Sequence, residues 1–340
     1  MNQPQKSAPP SHEAQTAPVP IVRAFLAGMM MGLANLVPGI SGGTMLVACG
    51  VYTRFIDAVS DATRLKFRRD SVLLLGVIVL GALISIGGLA RFIDWALVEH
   101  RWVMYSLFIG LTLGGAPIIW KLAKPVRRDV WAGVVAGAAV MAALVFIQES
   151  GGGGGSLRGP AWLLAGGAAG AGAMILPGIS GAFLLLLLGQ YEPIIGAIKN
   201  TMSAAWKLDV SGVWAELDVI IPVGIGVLLG IAGVANLLKW VMHRYERPTL
   251  GVLLGLLIAA PAGLYPFREG VPPQLGDTIR GELVTEANLA EMQAPDKSKE
   301  WAQRAFRPGP VQIGGSLALI ALGFGTTVLV ARLGGDKDEG

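Results

Sequence analysis

The stretch that most constrains this chain occurs twice. Asn35-Leu-Val-Pro-Gly-Ile-Ser-Gly-Gly-Thr44 recurs 139 residues later as Met174-Ile-Leu-Pro-Gly-Ile-Ser-Gly-Ala-Phe183, with Pro-Gly-Ile-Ser-Gly identical in both copies. Each copy interrupts a long apolar segment. Proline has no N–H to donate and clashes with the preceding turn, and glycine relaxes the backbone, so a helix cannot run through Pro38-Gly39 or Pro177-Gly178. Inside a bilayer such a break is tolerated only where it is buried in protein or lines a wet cavity. Matched Gly/Pro interruptions in the two halves of a chain are the sequence mark of a transporter's binding site. The competing reading is a pair of kinked membrane helices packed through small residues. Repetition of the break favours the site.

A mean hydropathy of +0.59, 53% hydrophobic residues and only 15% charged ones identify a polytopic membrane protein. The 48 glycines suit helices that approach one another closely. The single cysteine, Cys49, excludes a disulfide framework and a cysteine-based metal site. His12, His100 and His243 are scattered without ligand spacing, so no metal or cofactor is expected. The net charge of +4 sits in short loops, as membrane topology requires, and nucleic-acid binding is not implied. Residues 1–20 are polar and proline-rich and read as a disordered tail; 334–340 form a C-terminal tail.

The run 21–36 is too short to span comfortably before Pro38, and a second run, 42–52, leads into amphipathic 53–60. Full-length spans follow at about 71–97, 102–120 and 129–148. After a flexible Gly151–Gly155 link the pattern restarts with 160–176, the second break and 178–200, then spans at about 217–242, 248–266 and 311–333. The repeat extends beyond the motif. Gly50-Val-Tyr52 matches Gly189-Gln-Tyr191, and Ile86-Gly-Gly-Leu-Ala90 with Trp95 matches Ile231-Ala-Gly-Val-Ala235 with Trp240 at an offset of 145. Residues 21–150 and 151–333 are therefore two membrane repeats, the second carrying a polar soluble loop at 267–310.

Each broken segment is either one full span or a re-entrant hairpin. With hairpins, each half crosses the membrane three times and the second half is inverted. The N-terminus, 54–70 (Arg54, Arg64, Lys66, Arg68, Arg69), 121–128 (Lys121, Lys124, Arg127, Arg128), 243–247 and the C-terminus then share one side, cytoplasmic by the positive-inside rule. Full spans would put Arg244 and Arg247 opposite the other basic loops. The expected fold is thus all-α and polytopic, two inverted-topology repeats, each a re-entrant helical hairpin plus about three transmembrane helices.

After each proline a new helix begins near Ser41 or Ser180, and its first backbone N–H groups lack helical partners. Such groups favour an anion. Gly39, Gly42, Gly43, Gly178 and Gly181 let an oxyanion approach the backbone, and the hydroxyls of Ser41, Thr44 and Ser180 can donate to it. Those hydroxyls could instead cap their own helices. Asn35 precedes the first proline. Arg54 and Glu192 follow the repeated Tyr52 and Tyr191, and Glu192 reads either as a proton carrier or as an interfacial carboxylate. Arg91 lies within a span, where a charge is a functional candidate, although Asp94 three residues on offers it a partner. Trp95, Trp102, Trp131 and Trp240 read as interface anchors.

Ala34-Asn-Leu-Val-Pro-Gly-Ile-Ser-Gly-Gly-Thr44 with Gly50-Val-Tyr52, Ile175-Leu-Pro-Gly-Ile-Ser-Gly181 with Gly189-Gln-Tyr-Glu192, and Glu99-His100 after a span resemble the signatures of the bacterial polyprenyl-phosphate translocases of the PopT type. The resemblance covers about residues 21–266 and the final span. It implies a transporter, not an enzyme, that returns undecaprenyl phosphate from the outer to the inner leaflet of the bacterial cytoplasmic membrane for cell-envelope synthesis. Where that family often has an acid after the first tyrosine, this chain has Thr53. Two rival classes are a secondary transporter of a small soluble anion and a membrane enzyme acting on lipid phosphate. The enzyme lacks support, because no nucleophile–base pair or histidine cluster lies near either motif.

Overall fold

The structure is a computed structural model that describes residues 21–37, 39–149, 159–279, 282–294 and 301–333. The two tails, the Gly151–Gly155 link and Pro38 lie outside the described residues. The chain is mostly helical. α1 (Ile21–Asn35) ends at the first break and is followed by α2 (Gly42–Ala48) and α3 (Tyr52–Thr63). Next come α4 (Arg69–Glu99), α5 (Arg101–Leu113), α6 (Ala116–Leu122) and α7 (Arg128–Glu149). α8 (Pro160–Ile175) leads to the second break, then α9 (Gly181–Leu187), α10 (Tyr191–Trp206), α11 (Val210–Ala215), α12 (Leu217–Arg244) and α13 (Glu246–Ala259). The long α15 (Pro310–Leu333) closes the chain.

Among the described residues, six helical segments are long and apolar enough to cross a membrane: Arg69–Ile93, Arg101–Leu122, Arg128–Ile147, Leu217–Arg244, Glu246–Leu264 and Pro310–Arg332. They coincide with the spans expected from hydropathy. Two of them are not single helices. Gly114-Gly115 and Pro117 end α5 and restart the chain as α6. Pro261 likewise turns the end of α13 into a 3₁₀ turn, Ala260–Leu264. α1 and α8, at 15 and 16 residues, reach only about 22–24 Å, short of a hydrocarbon core of roughly 30 Å. α9 and α10 meet at a bend of 117°.

Lipid tails are as apolar as leucine, so membrane helices gain by close backbone approach through small residues. The four main packing pairs all do this. On α1 and α8, added Cβ atoms at Gly28 and Gly167 would come within 2.1 Å of Ile78 O on α4 and 2.4 Å of Val223 O on α12. On α5 and α13, Gly110 and Gly255 lie equally tight against Ile320 O on α15 and Val134 O on α7. The pairs match across the repeats, since α1 with α4 corresponds to α8 with α12, and α5 with α15 to α13 with α7. The last two pairs join one half of the chain to the other.

The polar stretch 267–310 is more ordered than a plain loop. β1 (Arg268–Val271) pairs antiparallel with β4 (Ala302–Ala305), and β2 (Thr278–Ile279) with β3 (Glu282–Leu283), beside a short α14 (Leu289–Met292). Phe267 stacks edge-on against both Tyr265 and Phe306 and anchors this small unit to the end of α13.

Candidate functional site

The two breaks meet inside the protein. The Ser41 hydroxyl donates to Leu176 O at 2.7 Å, the Tyr52 hydroxyl to Ile175 O at 3.0 Å, and the Gly178 N–H to Thr44 Oγ1 at 2.9 Å. Each bond joins one half of the chain to the other, and each is made by a residue of the duplicated stretch. The carbonyls of Ile175 and Leu176 are free to accept because the proline and glycine that follow end α8; Leu176 is already extended, at φ −80° and ψ 130°. Gly39 and Gly178 sit at φ +92° and +88°, where a side chain is strained. Gly178 also lies against the α13 backbone, and a Cβ there would be 2.8 Å from Leu256 O.

Close approach explains the other glycines. Gly43 abuts the Ile175 carbonyl, Gly42 the Asn35 side chain and Gly181 the Gly170 carbonyl. Ser41, Thr44 and Ser180 are all buried. Neither Ser41 nor Ser180 caps its own helix, although both have the extended backbone of an N-cap residue. Ser41 is instead committed across the halves. Among the described residues, the hydroxyls of Ser180 and Tyr191 have no hydrogen-bond partner. α2 and α9 are only seven residues long, so directed N–H and O–H donors at their starts matter more than a helix dipole.

The remaining expected residues are dispersed. Pro177 is buried in the second break, and Asn35 is exposed at the end of α1, just before the first. Arg54 and Glu192, each in the first turn after its tyrosine, are half-buried. Arg91 is exposed on α4 and is not brought into the junction of the breaks.

A polar cluster that sequence reading missed lies between α3 and α12. Asn236 Oδ1 accepts from the Ser60 hydroxyl at 2.8 Å and from Arg64 Nε at 2.6 Å, and its amide donates to Thr63 Oγ1 at 2.9 Å. One turn on, Lys239 Nζ is 2.9 Å from Asp57 and 3.6 Å from Asp61. The signal was available. Asn236 and Lys239 stand at the 145-residue offset from Arg91 and Asp94, inside the aligned stretch that ends at the two tryptophans. Polar residues at matched depth in two apolar spans were the clue. Among the described residues, no group of three His, Cys, Asp or Glu side chains could hold a metal ion.

Comparison with known proteins gives consistent matches. A family model, VCA0040-like and described as undecaprenyl phosphate translocase-like, matches residues 31–275. A polyprenyl-phosphate transporter of Vibrio cholerae is 30% identical over 286 residues, which cover 79% of this chain and 85% of that one. Another of the same name from Staphylococcus aureus is 27% identical over 259 residues, covering 74% of this chain and 87% of the relative. No solved structure matches.

Proposed function

The chain belongs to the undecaprenyl phosphate translocase-like family, and on that premise we propose that it carries undecaprenyl phosphate from the outer to the inner leaflet of the bacterial cytoplasmic membrane. It is a multi-pass transporter of lipid phosphate, not an enzyme. The observation that carries the reading is the meeting of the two breaks through Ser41, Thr44, Tyr52 and Gly178 in the protein interior. A phosphate monoester crossing a bilayer must exchange water for fixed donors, because an unpaired buried charge is prohibitive. The hydroxyls of Ser180 and Thr44 can supply such donors, joined by the Ser41 hydroxyl and the Gly178 N–H once their bonds across the halves are released. Gly39, Gly42, Gly43, Gly178 and Gly181 are packed against neighbouring protein atoms here, and with no side chain of their own they would expose backbone to an oxyanion where the breaks part.

In this reading α1–α2 and α8–α9 are re-entrant hairpins of two inverted repeats, and both termini are cytoplasmic. The short reach of α1 and α8 and the basic residues at 54–70, 121–128 and 243–247 support it. Arg91, near the far end of α4, receives the headgroup, Arg54, Tyr52, Tyr191 and Glu192 flank its path, and the prenyl tail stays in lipid.

The test is transbilayer movement of undecaprenyl phosphate in proteoliposomes. Wild type should move it, while Ser41→Ala/Ser180→Ala and Arg91→Ala should each be slowed at least about tenfold, as expected for losing about 1.4 kcal/mol of charge-assisted hydrogen bonding. No movement by wild type under either a pH gradient or a membrane potential would refute the lipid reading and favour a carrier of small soluble anions.

A further inference from the structure

The contacts at the breaks are one-sided. The repeat relates Ser41 to Ser180, Tyr52 to Tyr191, Leu36 to Ile175 and Val37 to Leu176. Ser41 and Tyr52 hydrogen-bond to Leu176 O and Ile175 O, yet among the described residues Ser180 and Tyr191 make no matching bond to Val37 O or Leu36 O. All seven residues of α2 are buried, whereas in α9 only Gly181 and Phe183 are. The same imbalance runs outward. α3 packs along α12, but its counterpart α10 does not pack along α4. Val59 and Ser60 on α3 are 8% and 0% exposed; their equivalents Ile198 and Lys199 on α10 are 40% exposed and exposed.

We propose that this is one of two exchangeable arrangements, and that the second is reached when α10 closes on α4 around an anion held between Arg91 and Lys199. The inference rests on the transporter reading and names the residues through which the two ends alternate. In the second arrangement Ser180 and Tyr191 bond to Val37 O and Leu36 O, while Ser41 and Tyr52 let go. Two conformations of one molecule respond to a ligand that fits one of them better.

Charge makes the two closures unequal. At the closed α3–α12 end, Asp57 and Asp61 balance Arg64 and Lys239, so no ligand is needed. Arg91 and Lys199 occupy the positions of Asn236 and Ser60, which are 2.8 Å apart. Bringing two cations that close is repulsive. Asp94, at the position of Lys239, is the only acid in that aligned set, leaving one net positive charge. An anionic phosphate headgroup supplies the missing negative charge. The open end thus shuts on its substrate and not without it.

Spin labels test this, placed at Val98→Cys on α4 with Trp206→Cys on α10, and separately at Lys66→Cys with His243→Cys, all in a Cys49→Ala background. Distances are read by double electron–electron resonance in proteoliposomes. Undecaprenyl phosphate should shorten the first distance and lengthen the second. Lys199→Glu, which pairs with Arg91 unaided, should shorten the first distance with no anion present, and Arg91→Glu should do the same. If lipid is moved and the first distance never shortens, the exchange is wrong and the transporter reading survives. If no lipid is moved but inorganic phosphate shortens the distance, the exchange holds and the lipid reading falls. If both charge reversals stay open, the anion requirement is refuted.

Discussion

Gly43→Ala tests how tightly the two breaks are held together. A Cβ at Gly43 would lie 2.9 Å from Ile175 O, 3.1 Å from Met174 O and 3.2 Å from Ile175 C. Ordinary contact begins at 3.4 Å, so the two backbones must part by about 0.5 Å, the difference of those two distances. The obstacle is main chain and cannot swing aside. That same Ile175 carbonyl accepts from Tyr52 at 3.0 Å, and the shift stretches the bond to about 3.5 Å, beyond useful hydrogen-bond range. Overpacking of this kind costs about 1–3 kcal/mol and the weakened buried bond about 1 kcal/mol. The better helix propensity of alanine returns about 0.5–1 kcal/mol. The net expectation is a destabilisation of about 1–3 kcal/mol. Thermal unfolding in detergent, followed by tryptophan fluorescence at one fixed scan rate, should fall by several degrees. Gly76→Ala is the control, since nothing lies within 4 Å of its added Cβ, and it should match or slightly exceed wild type. Equal melting of the two variants would refute the claim that the breaks are rigidly apposed. Added to Tyr52→Phe, Gly43→Ala should cost less than the sum of the two, because both act on one carbonyl.

Three further outcomes follow from the same geometry. Tyr52→Phe strands a buried carbonyl and should cost about 1–3 kcal/mol, whereas Tyr191→Phe, with no bond to lose, should leave the melting temperature unchanged; equal losses would contradict the one-sided junction. Asn236→Leu removes the partner of Ser60, Arg64 and Thr63 and should destabilise by about 3 kcal/mol, roughly the net value of three such bonds, as read from unfolding in detergent; a neutral result would show that the α3–α12 cluster is ornamental. The buried hydroxyls of Ser106 on α5 and Ser316 on α15 lie 2.6 Å apart, and a double-mutant cycle to alanine should give a coupling near the 0.6 kcal/mol average of bonds between membrane helices; zero coupling would break the assigned α5–α15 register.

Much of this fold was legible because a bilayer permits few solutions. Every backbone group must be satisfied within its own helix, so hydropathy located the six long spans to within a few residues, and prolines and glycines located the breaks. Even the divided spans were announced by Gly114-Gly115-Ala-Pro117 and by Pro261. The strands beyond α13 were not, because Arg268–Val271 pairs with Ala302–Ala305 across about thirty residues and so short a strand has no usable alternation. At the site, the repeat named Ser41, Thr44, Tyr52 and Gly178 but could not say which copy would be engaged. Two identical motifs carry identical propensities, and only tertiary contacts separate them. Arg91 was conspicuous as a basic residue within a span; Lys239 was not, because it is near a helix end where a basic residue is ordinary.

The energetics of the α3–α12 cluster suit a closure that must open. A fully buried ion pair would be a poor gate, because separating it leaves two uncompensated charges, at about 3–5 kcal/mol. Lys239, Asp57 and Asp61 keep 23%, 44% and 16% of their side-chain surface, so water can take over when they part, and the pairing is worth at most about 1 kcal/mol. The bonds of Asn236 and the three between the breaks add about 1 kcal/mol each. Of the three between the breaks, two have a counterpart to be regained on the other side: Ser180 for Ser41 and Tyr191 for Tyr52. The exceptions are Phe183, which stands where Thr44 does and has no hydroxyl to offer Gly39, and the cationic Arg91 and Lys199 in place of Asn236 and Ser60. The second closure therefore lacks the hydrogen bonds made by Thr44 and by Asn236, and carries an unbalanced charge. A bound phosphate makes good both deficits, since it accepts from the Gly39 N–H and neutralises the arginine and lysine. A cycle built this way rests, when empty, in the α3–α12-closed state, while the net direction of transport is set by the gradient that drives it.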